Sequence, residues 1–469
     1  MVTSVPLFQH SATQLAAALR DGMVSAVDAV FACFDRIDSL NPSLNAFITL
    51  CREQAEQEAI AADKARKQGQ ILGPLHGIPI AIKDLNATAG IRTTYGSKLF
   101  ENHIPDDDDL CVARLKAAGA IIVGKTSTPE FGFGTGTHNP LIGTTVNPYN
   151  PNYTCGDSSG GSAVVVATGM SFLAHGGDMG GSVRTPASFC NIVGLRPAIG
   201  RIPRVPKPLL WECLATDGVL ARTVEDAALM LSVMAGWDAG DPVSIAQSNW
   251  SIPDFSLNGQ EQTRVGYSMD LGVTLIHQEV TEVFEAAVRA IDRPCSQVKP
   301  AHPDCAGAQA TFATLRAALV YQMYYPLLER YGEQLTDTVR WEIEQGNGVT
   351  AAQYLQAEAQ RGHIYQNFVR FFENYDVLIV PSASVPPFPV SQTEVREING
   401  IPLQTIIDYL AITYIISLTG LPALSIPCGY TKSGLPIGIQ LVGKPQGEAA
   451  LLQFAYFLQE TLNFRHCWS

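Results

Sequence analysis

The sequence is poor in charge, and basic residues are the scarcer kind. Charged residues make up only 16% of the 469 residues, and 31 Lys and Arg against 44 Asp and Glu give a formal net charge of −13. Because recognition of phosphate groups needs clustered Lys and Arg, we expect no direct nucleic-acid partner. The hydrophobic content of 46% is ordinary for a globular protein with a sizeable core.

Paired cysteines, a leader-like segment and an uninterrupted apolar run are also lacking. The ten cysteines are scattered without a C-x-x-C pair, which argues against a disulfide framework and a thiolate zinc site. A reducing compartment fits this pattern, so we expect a cytoplasmic location.

Residues 1–14 show no cationic segment followed by an apolar run, so we expect no signal peptide. Residues 409–427 are apolar, but Gly420 and Pro422 interrupt them; we therefore interpret them as a buried helix followed by a core strand, with no membrane association.

The apolar pattern predicts strands separated by helices. Ser11 with Gln14 and Ser25 with Asp28 are typical of capping boxes that open two N-terminal helices. Further helices are predicted over residues 52–68, 109–118, 162–169, 219–235, 280–290 and 448–462, and strands over 77–83, 121–123, 264–268, 376–381, 424–427 and 437–442. Residues 139–152 and 238–262 are predicted to be loops, and 294–374 a largely helical cap or specificity layer. This alternation implies an α/β fold with helices on both faces of the sheet.

Two short motifs match known patterns in the wrong local context. Residues 119–126, G-A-I-I-V-G-K-T, satisfy the phosphate-loop pattern, but their variable positions are strand-like and no helix follows. Residues 156–160, G-D-S-S-G, match the nucleophile elbow of α/β-hydrolases, but loop residues precede them where a strand is needed. The nine histidines are isolated, and none stands out as a base. The sequence therefore disfavours both a nucleotide-binding and an α/β-hydrolase interpretation.

Two serines in glycine clusters indicate a different kind of catalytic site. Ser158 lies in C-G-D-S-S-G-G-S-A at residues 155–163, and Ser182 lies in H-G-G-D-M-G-G-S-V-R-T-P-A-S at residues 175–188. Glycine lets the backbone approach a ligand closely, so residues 179–182 could direct several N–H groups at one oxyanion. Taken singly, either serine is more often a turn or cap residue than a catalyst.

Lys83 adds a candidate base. It ends the apolar segment that begins at Gly77, and burial disfavours the charged form of a lysine, which can then act as a neutral base. An ion pair with the neighbouring Asp84 explains the same position equally well. Together, Lys83, Ser158 and Ser182 offer a proton path from a nucleophile hydroxyl through a second hydroxyl to an amine.

At these residues the chain resembles the amidase signature family. The resemblance covers most of the chain and runs in order through residues 73–84, 118–126, 147–151, 158–163, 178–190, 193–197, 420–429 and 434–443. It implies one α/β domain over residues 1–469, built around a large mixed, twisted sheet with helices on both faces. The signature core would span about residues 70–200, and the helical cap about 294–374.

The resemblance also assigns roles to the candidate residues. Ser182 corresponds to the nucleophile, Ser158 to a bridging serine that follows a cis peptide bond, and Lys83 to the general base. The oxyanion hole would comprise the N–H groups of Met179, Gly180, Gly181 and Ser182, with Ser159, Asp178 and Arg184 as supporting hydrogen-bond partners. Two positions depart from the family pattern: Asp157 stands where glycine is usual, and Gly177 where serine or threonine is usual.

These observations predict a hydrolase for carboxylic amides or related C–N bonds that acts through an acyl-enzyme. The substrate would be a small-molecule amide or carbamate, with esterase side activity, and no metal or organic cofactor is needed. Aromatic residues within 312–331 and 409–414 suggest an aryl or apolar pocket. One alternative is the glutamine-hydrolysing subunit of a tRNA-dependent amidotransferase, whose partner subunits would carry the RNA contacts. Another is a scaffold protein inactivated by Asp157; a homodimer is the assembly to test.

Overall fold

The computed structural model describes residues 5–246 and 251–468. An eleven-stranded mixed sheet forms its centre, in the order β1-β3-β2-β6-β8-β7-β14-β15-β11-β9-β10. These strands are β1 (Phe47–Leu50), β2 (Pro79–Lys83), β3 (Ile121–Thr126), β6 (Leu173–Asp178), β7 (Val193–Arg196), β8 (Thr216–Ala221), β9 (Arg264–Tyr267), β10 (Gln297–Pro300), β11 (Val377–Pro381), β14 (Ala423–Tyr430) and β15 (Pro436–Val442). Two small ribbons accompany the sheet: β4 (His138–Asn139) with β5 (Gly143–Thr144), and β12 (Glu397–Ile398) with β13 (Ile401–Pro402). The predicted α/β fold, a large mixed sheet flanked by helices on both faces, is confirmed.

Helices cover the sheet and build the region beside it. In the described part of the chain they are α1 (Ala12–Arg20), α2 (Ala26–Leu44), α3 (Arg52–Lys67), α4 (Leu110–Ala117), α5 (Gly160–Ala167), α6 (Arg184–Phe189), α7 (Val224–Met234), α8 (Gln278–Ile291), α9 (Ala308–Tyr331), α10 (Asp337–Glu344), α11 (Ala351–Asn374), α12 (Ala411–Thr419) and α13 (Glu448–Thr461). Both predicted capping boxes are present: the Ser11 and Ser25 side chains accept the backbone N–H of the third helical residue, Gln14 and Asp28.

Strand direction places the ends of two central strands side by side. Strand β2 runs parallel to β3 and β6, and β9 runs parallel to β10 and β11, whereas the other neighbouring pairs are antiparallel. Strands β2 and β3 are fully buried, which explains the apolar runs without alternation over residues 79–82 and 121–123. Because β2 and β6 are parallel, their last residues, Lys83 and Asp178, lie at the same edge of the sheet.

The predicted helix over residues 219–235 is wrong in its first part. Thr216–Ala221 forms β8, which pairs with β6 and β7, and α7 begins only at Val224. The Thr223 side chain accepts the N–H of Asp226 and caps the helix there. A short buried apolar run cannot be assigned to a strand or a helix from periodicity alone, and tertiary pairing decides it.

The other predicted segments mostly agree with the structure. Residues 119–126 contain strand β3, so the phosphate-loop match does not form a loop. Residues 409–427 contain α12 followed by the start of β14, as expected, and no described helix is long and apolar enough to cross a bilayer. Residues 294–374 carry α9, α10 and α11 but begin with strand β10. Of the predicted loop at 238–262, residues 247–250 lie outside the described residues.

Candidate active site

A cavity of about 500 Å³ opens at the edge where β2 and β6 end. Its wall includes all three candidate catalytic residues, Lys83, Ser158 and Ser182. Lys83 is the last residue of β2, Ser158 precedes α5, and Ser182 lies in the turn between β6 and α6. The fold therefore brings together three side chains that come from separate segments of the chain.

Lys83 is buried and directly contacts two serines. Its Nζ atom lies 2.7 Å from Ser158 Oγ, 2.9 Å from Ser159 Oγ and 3.4 Å from the carbonyl oxygen of Gly177. Burial lowers the pKa of Lys83 to about 7, and the negative charges of Asp157 and Asp178 oppose that shift only in part. An amine with this pKa is substantially neutral near pH 7 and can accept a proton from a hydroxyl.

Asp84, the alternative ion-pair partner of Lys83, faces a different lysine. One Asp84 oxygen lies 3.9 Å from Lys125 Nζ, and the other accepts the N–H of Thr94 at 3.0 Å. Lys125 Nζ also donates to the hydroxyls of Thr88 and Thr93, at 2.9 and 2.7 Å. Asp84 and Lys125 therefore balance each other, and the ion-pair explanation of Lys83 does not apply.

The two serine segments are joined through the backbone. The Asp157–Ser158 peptide bond is cis, as the resemblance implies. The N–H of Ser159 donates to the carbonyl oxygen of Ser182 at 3.1 Å. Ser182 itself is partly exposed to the cavity, whereas Ser158 is 4% exposed. This arrangement leaves the Ser182 hydroxyl open to a substrate and places the Ser158 hydroxyl on the lysine.

Asp178 organises the turn that carries Ser182. Its carboxylate accepts the N–H of Gly181 at 3.0 Å and of Val183 at 3.1 Å, one on each side of Ser182. Arg184 donates to it twice, at 3.0 and 2.8 Å, and Arg196 lies 3.3 Å away. Burial alone would raise the pKa of Asp178, but the two guanidinium groups outweigh it and hold that pKa well below its usual range. The carboxylate is therefore ionised at neutral pH.

The same contact changes the expected oxyanion hole. The N–H of Gly181 is already used by Asp178, so this group differs from the sequence-based expectation. Within the described part of the chain, the N–H groups of Gly180 and Ser182 have no hydrogen-bond acceptor. Met179 and Gly180 line the cavity beside Ser182. The free donors shown in this turn are thus the N–H groups of Gly180 and Ser182, and the oxyanion hole itself stays a prediction.

Next to Lys83 lies a buried cluster that the sequence did not reveal. His175 Nε2 lies 3.1 Å from Asp217 Oδ1 and 3.9 Å from Cys111 Sγ, and Asn86 Nδ2 lies 3.4 Å from the same Asp217 oxygen. Cys111, His175 and Asp217 have the ligand types and spacing of a metal site. However, His175 Nδ1 is buried without a partner in the described part of the chain, whereas a metal-bound histidine normally donates that N–H. The cluster fits a hydrogen-bonded group better than a metal site.

Aromatic and aliphatic side chains form much of the rest of the wall. The Phe312 and Tyr414 rings stack with their centroids 4.2 Å apart, and Gly180 lies against this pair. The apolar part of the wall further includes Leu85, Tyr95, Phe131, Phe133, Met179, Leu319, Val320, Met323, Tyr324, Ile407 and Leu410. Several of these residues belong to the aromatic segments that the sequence suggested for an apolar pocket.

Comparisons with known proteins identify the family of this chain. The family model described as Amidase matches residues 28–452, so the chain belongs to the amidase signature family. It is 34% identical to an acylamidase of Rhodococcus erythropolis over 457 residues, which is 97% of this chain and 96% of that protein. It is 36% identical to a subunit of the glutamyl-tRNA(Gln) amidotransferase of Thermosynechococcus vestitus over 468 residues, with 93% and 95% of the two chains covered.

Solved structures show the same fold. A bacterial aryl acylamidase of the amidase signature family superposes with a TM-score of 0.89, covering 97% of both chains at 24% identity. The 6-aminohexanoate cyclic dimer hydrolase superposes with a TM-score of 0.83, covering 98% of both chains at 28% identity. The chain thus shares its fold with both proteins over 97–98% of its length.

Proposed function

We propose that this protein is a serine amidase that hydrolyses aryl or apolar amides through an acyl-enzyme, with Lys83, Ser158 and Ser182 as its catalytic residues. The observation that carries the proposal is the buried Lys83 Nζ at 2.7 Å from Ser158 Oγ, in the wall of the cavity that Ser182 faces. Among the described residues Lys83 has no ion-pair partner that would explain its burial, whereas a neutral base needs burial.

The reaction begins with proton transfer along these groups. Neutral Lys83 accepts the proton of Ser158, Ser158 takes the proton of Ser182, and Ser182 Oγ forms a bond to the acyl carbon. The carbonyl π electrons move to oxygen, and the N–H groups of Gly180 and Ser182 stabilise that oxyanion. When the intermediate collapses, the C–N bond breaks and Ser158 protonates the leaving nitrogen. Protonated Lys83 then returns its proton to Ser158, and water attacks the acyl carbon while its own proton passes through Ser158 to Lys83. When the second intermediate collapses, the bond from the acyl carbon to Ser182 breaks, Ser182 takes that proton back and the acid leaves.

The cavity wall supports the substrate class. Helix α9 contributes Phe312, Met323 and Tyr324, and α12 contributes Tyr414. These side chains make an apolar enclosure of the kind that binds aryl groups. We therefore assign the helical region 294–374 as the specificity layer of the domain.

Since all ten cysteines are unpaired in the described structure, the chain suits a reducing, cytoplasmic location.

A second candidate is the glutamine-hydrolysing subunit of a tRNA-dependent amidotransferase. The relative named as a glutamyl-tRNA(Gln) amidotransferase subunit, at 36% identity, favours it. Such a protein would use the same nucleophile on glutamine but would hydrolyse simple amides poorly without its partners. The aromatic wall favours the first candidate.

One substrate panel separates these candidates. Aryl amides, aliphatic amides, carbamates, esters and glutamine are tested with wild-type protein, Ser182→Ala and, as a matched control, Ser43→Ala at an exposed position of α2. We expect aryl amides to be hydrolysed fastest, and Ser182→Ala to lower kcat/KM by at least about 10³-fold while Ser43→Ala leaves it unchanged. Near wild-type activity of Ser182→Ala would refute the assignment, and a strong preference for glutamine would favour the amidotransferase candidate.

A further inference from the structure

Asp157 places a carboxylate in the wall of a largely apolar cavity, directly before the Ser158 that contacts Lys83. Its side chain is 3% exposed and lines the same cavity as Lys83 and Ser182. Oδ1 lies 2.9 Å from the hydroxyl oxygen of Tyr409, whose single proton is shared with the carbonyl oxygen of Thr135 at 3.1 Å. Within the described part of the chain, no side chain or backbone group of another residue donates to Oδ2. One carboxylate oxygen therefore contacts Tyr409, and the residue lines the cavity that a substrate would fill.

The other charged groups of this cavity have partners of their own. Each basic side chain of the wall besides Lys83 forms an ion pair with an acid outside it: Arg204 with Glu212 at 2.9 Å, Lys207 with Asp241 at 3.4 Å, and Arg316 with Glu342 at 2.8 Å. Among the acids of the wall, Asp178 pairs with two arginines and Asp217 with His175. In the described structure Asp157 and Asp109 are the acids of this wall without an ion pair, and Asp109 accepts the N–H of Ala87.

From this geometry we infer that Asp157 is a specificity residue that selects amides carrying a protonated amino group near the scissile bond. The inference rests on the proposed amidase function. Burial of a carboxylate oxygen without a hydrogen-bond donor from another residue costs free energy, because its hydration is lost and not replaced. An ammonium group supplies both opposite charge and N–H donors, which gives one of the stronger hydrogen bonds available to a protein. The aromatic faces of the same wall can hold the alkyl chain and the cation.

A cation at this position would also act on Lys83. The charges facing Asp157 are those of Lys83 and Arg316, together with the hydroxyl of Tyr409; Asp157, Asp178 and Asp217 in turn face Lys83. An ionised Asp157 stabilises the protonated form of Lys83, which is the inactive form of the base. A substrate cation beside Asp157 balances the carboxylate charge in place of Lys83, and its own positive charge lowers the pKa of Lys83. Binding of a cationic substrate would thus also favour the neutral form of Lys83, which is the form that can act as a base.

The experiment uses two pairs of substrates that differ only in replacing NH₃⁺ by CH₃. On the acyl side, the para-nitroanilides of β-alanine and butyric acid are compared. On the leaving-group side, N-(2-aminoethyl)benzamide and N-propylbenzamide are compared. For each pair the measured quantity is the ratio of kcat/KM for the cationic over the neutral member. We expect wild-type protein to prefer the cationic member of at least one pair, and Asp157→Asn to lower that ratio by at least about tenfold.

Several controls keep the result interpretable. Asp109→Asn removes the other unpaired carboxylate of the wall, and we expect it to leave the ratio unchanged. Asp157→Gly, with the residue usual in the family, serves as a second variant if Asp157→Asn folds poorly. In wild-type protein the ratio should fall as the pH drops, because burial raises the pKa of Asp157 to about 7 and protonation below that pH removes its charge. A merely structural role of Asp157 would not produce this pH dependence.

The inference is wrong if neither pair shows a cationic preference, if the preference survives in both Asp157 variants, or if Asp109→Asn lowers it equally. In these cases, hydrolysis of the neutral members by wild-type protein but not by Ser182→Ala leaves the proposed amidase function standing. Absence of hydrolysis for all four substrates would contradict the proposed function itself, and the inference would fall with it.

Discussion

Replacing Asp178 by asparagine should lower the stability of the whole protein, because it removes one buried charge and leaves two others. Asp178, Arg184 and Arg196 all have fully buried side chains. Asparagine keeps the shape but has one acceptor oxygen, whereas the carboxylate serves Gly181, Val183 and both arginines. The amide NH₂ would face groups that are themselves donors. The variant therefore has two buried cations without a carboxylate, and a turn beside Ser182 without its acceptors.

The size of the effect follows from the burial. Breaking a buried ion pair by removing one partner costs about 3–5 kcal/mol. For 469 residues, an unfolding entropy of about 2 cal/mol/K per residue amounts to about 1 kcal/mol/K. The predicted decrease in Tm is therefore about 3–5 °C. We also expect lower kcat with little change in KM, because the affected N–H groups flank Ser182, the proposed nucleophile, and not the apolar wall.

Differential scanning calorimetry and initial rates on an aryl amide measure both effects. Asp376→Asn is the matched control, since Asp376 pairs with Arg264 at 2.8 Å and Lys444 at 2.7 Å but is 34% exposed. Exposed pairs contribute about 0–1 kcal/mol, so this variant should lose about 1 °C or less and keep its activity. If Asp178→Asn lowers Tm no more than Asp376→Asn does, the assigned importance of the buried ion pairs is refuted.

Two further predictions concern the site. Lys83→Met should abolish amide hydrolysis. In wild-type protein, log kcat/KM should rise with pH up to about 7 and then level off, since Lys83 is deprotonated above its pKa and can then act as a base. A value of kcat/KM that does not change with pH below 7 would contradict this. Gly181→Ala should reduce activity and stability, because its φ is +125° and the new Cβ would lie 2.3 Å from Thr413 Oγ1. Gly177→Ala, where a Cβ meets nothing within 4 Å, should be tolerated; equal losses in activity and Tm for the two would refute the steric argument.

The sequence predicts local features of this fold well where one signal determines them. The capping serines at Ser11 and Ser25 mark helix starts because side chain and backbone are close in sequence. Strand β8 was predicted as part of a helix because its partners, β6 and β7, are identified only once the chain has folded. Residues 119–126 match the phosphate-loop pattern, yet residues 121–126 pair as strand β3 with β1 and β2.

The same distinction applies to the site. The position of Lys83 at a strand end and of both serines in glycine clusters is visible in the sequence, and the structure brings them to one cavity. The cluster of Cys111, His175 and Asp217 was not predicted, because the three residues come from separate segments and their spacing in the sequence matches no ligand motif, although His175 begins the segment that contains Ser182. The contact of Tyr409 with Asp157 joins residues far apart in the chain, so no local pattern could indicate it.

The contacts of Arg184 have a consequence for how the protein is made. Besides Asp178, its guanidinium donates to the carbonyl oxygen of Thr413, to Ser417 Oγ and to Gln440 Oε1. Thr413 and Ser417 belong to α12 and Gln440 to β15, and β14 and β15 fill the middle of the sheet. On a ribosome, both serines and the lysine emerge long before these C-terminal elements. A nascent chain would therefore carry all three proposed catalytic residues yet lack the contacts that support the turn with Ser182, so that the proposed activity would appear only when synthesis is nearly complete.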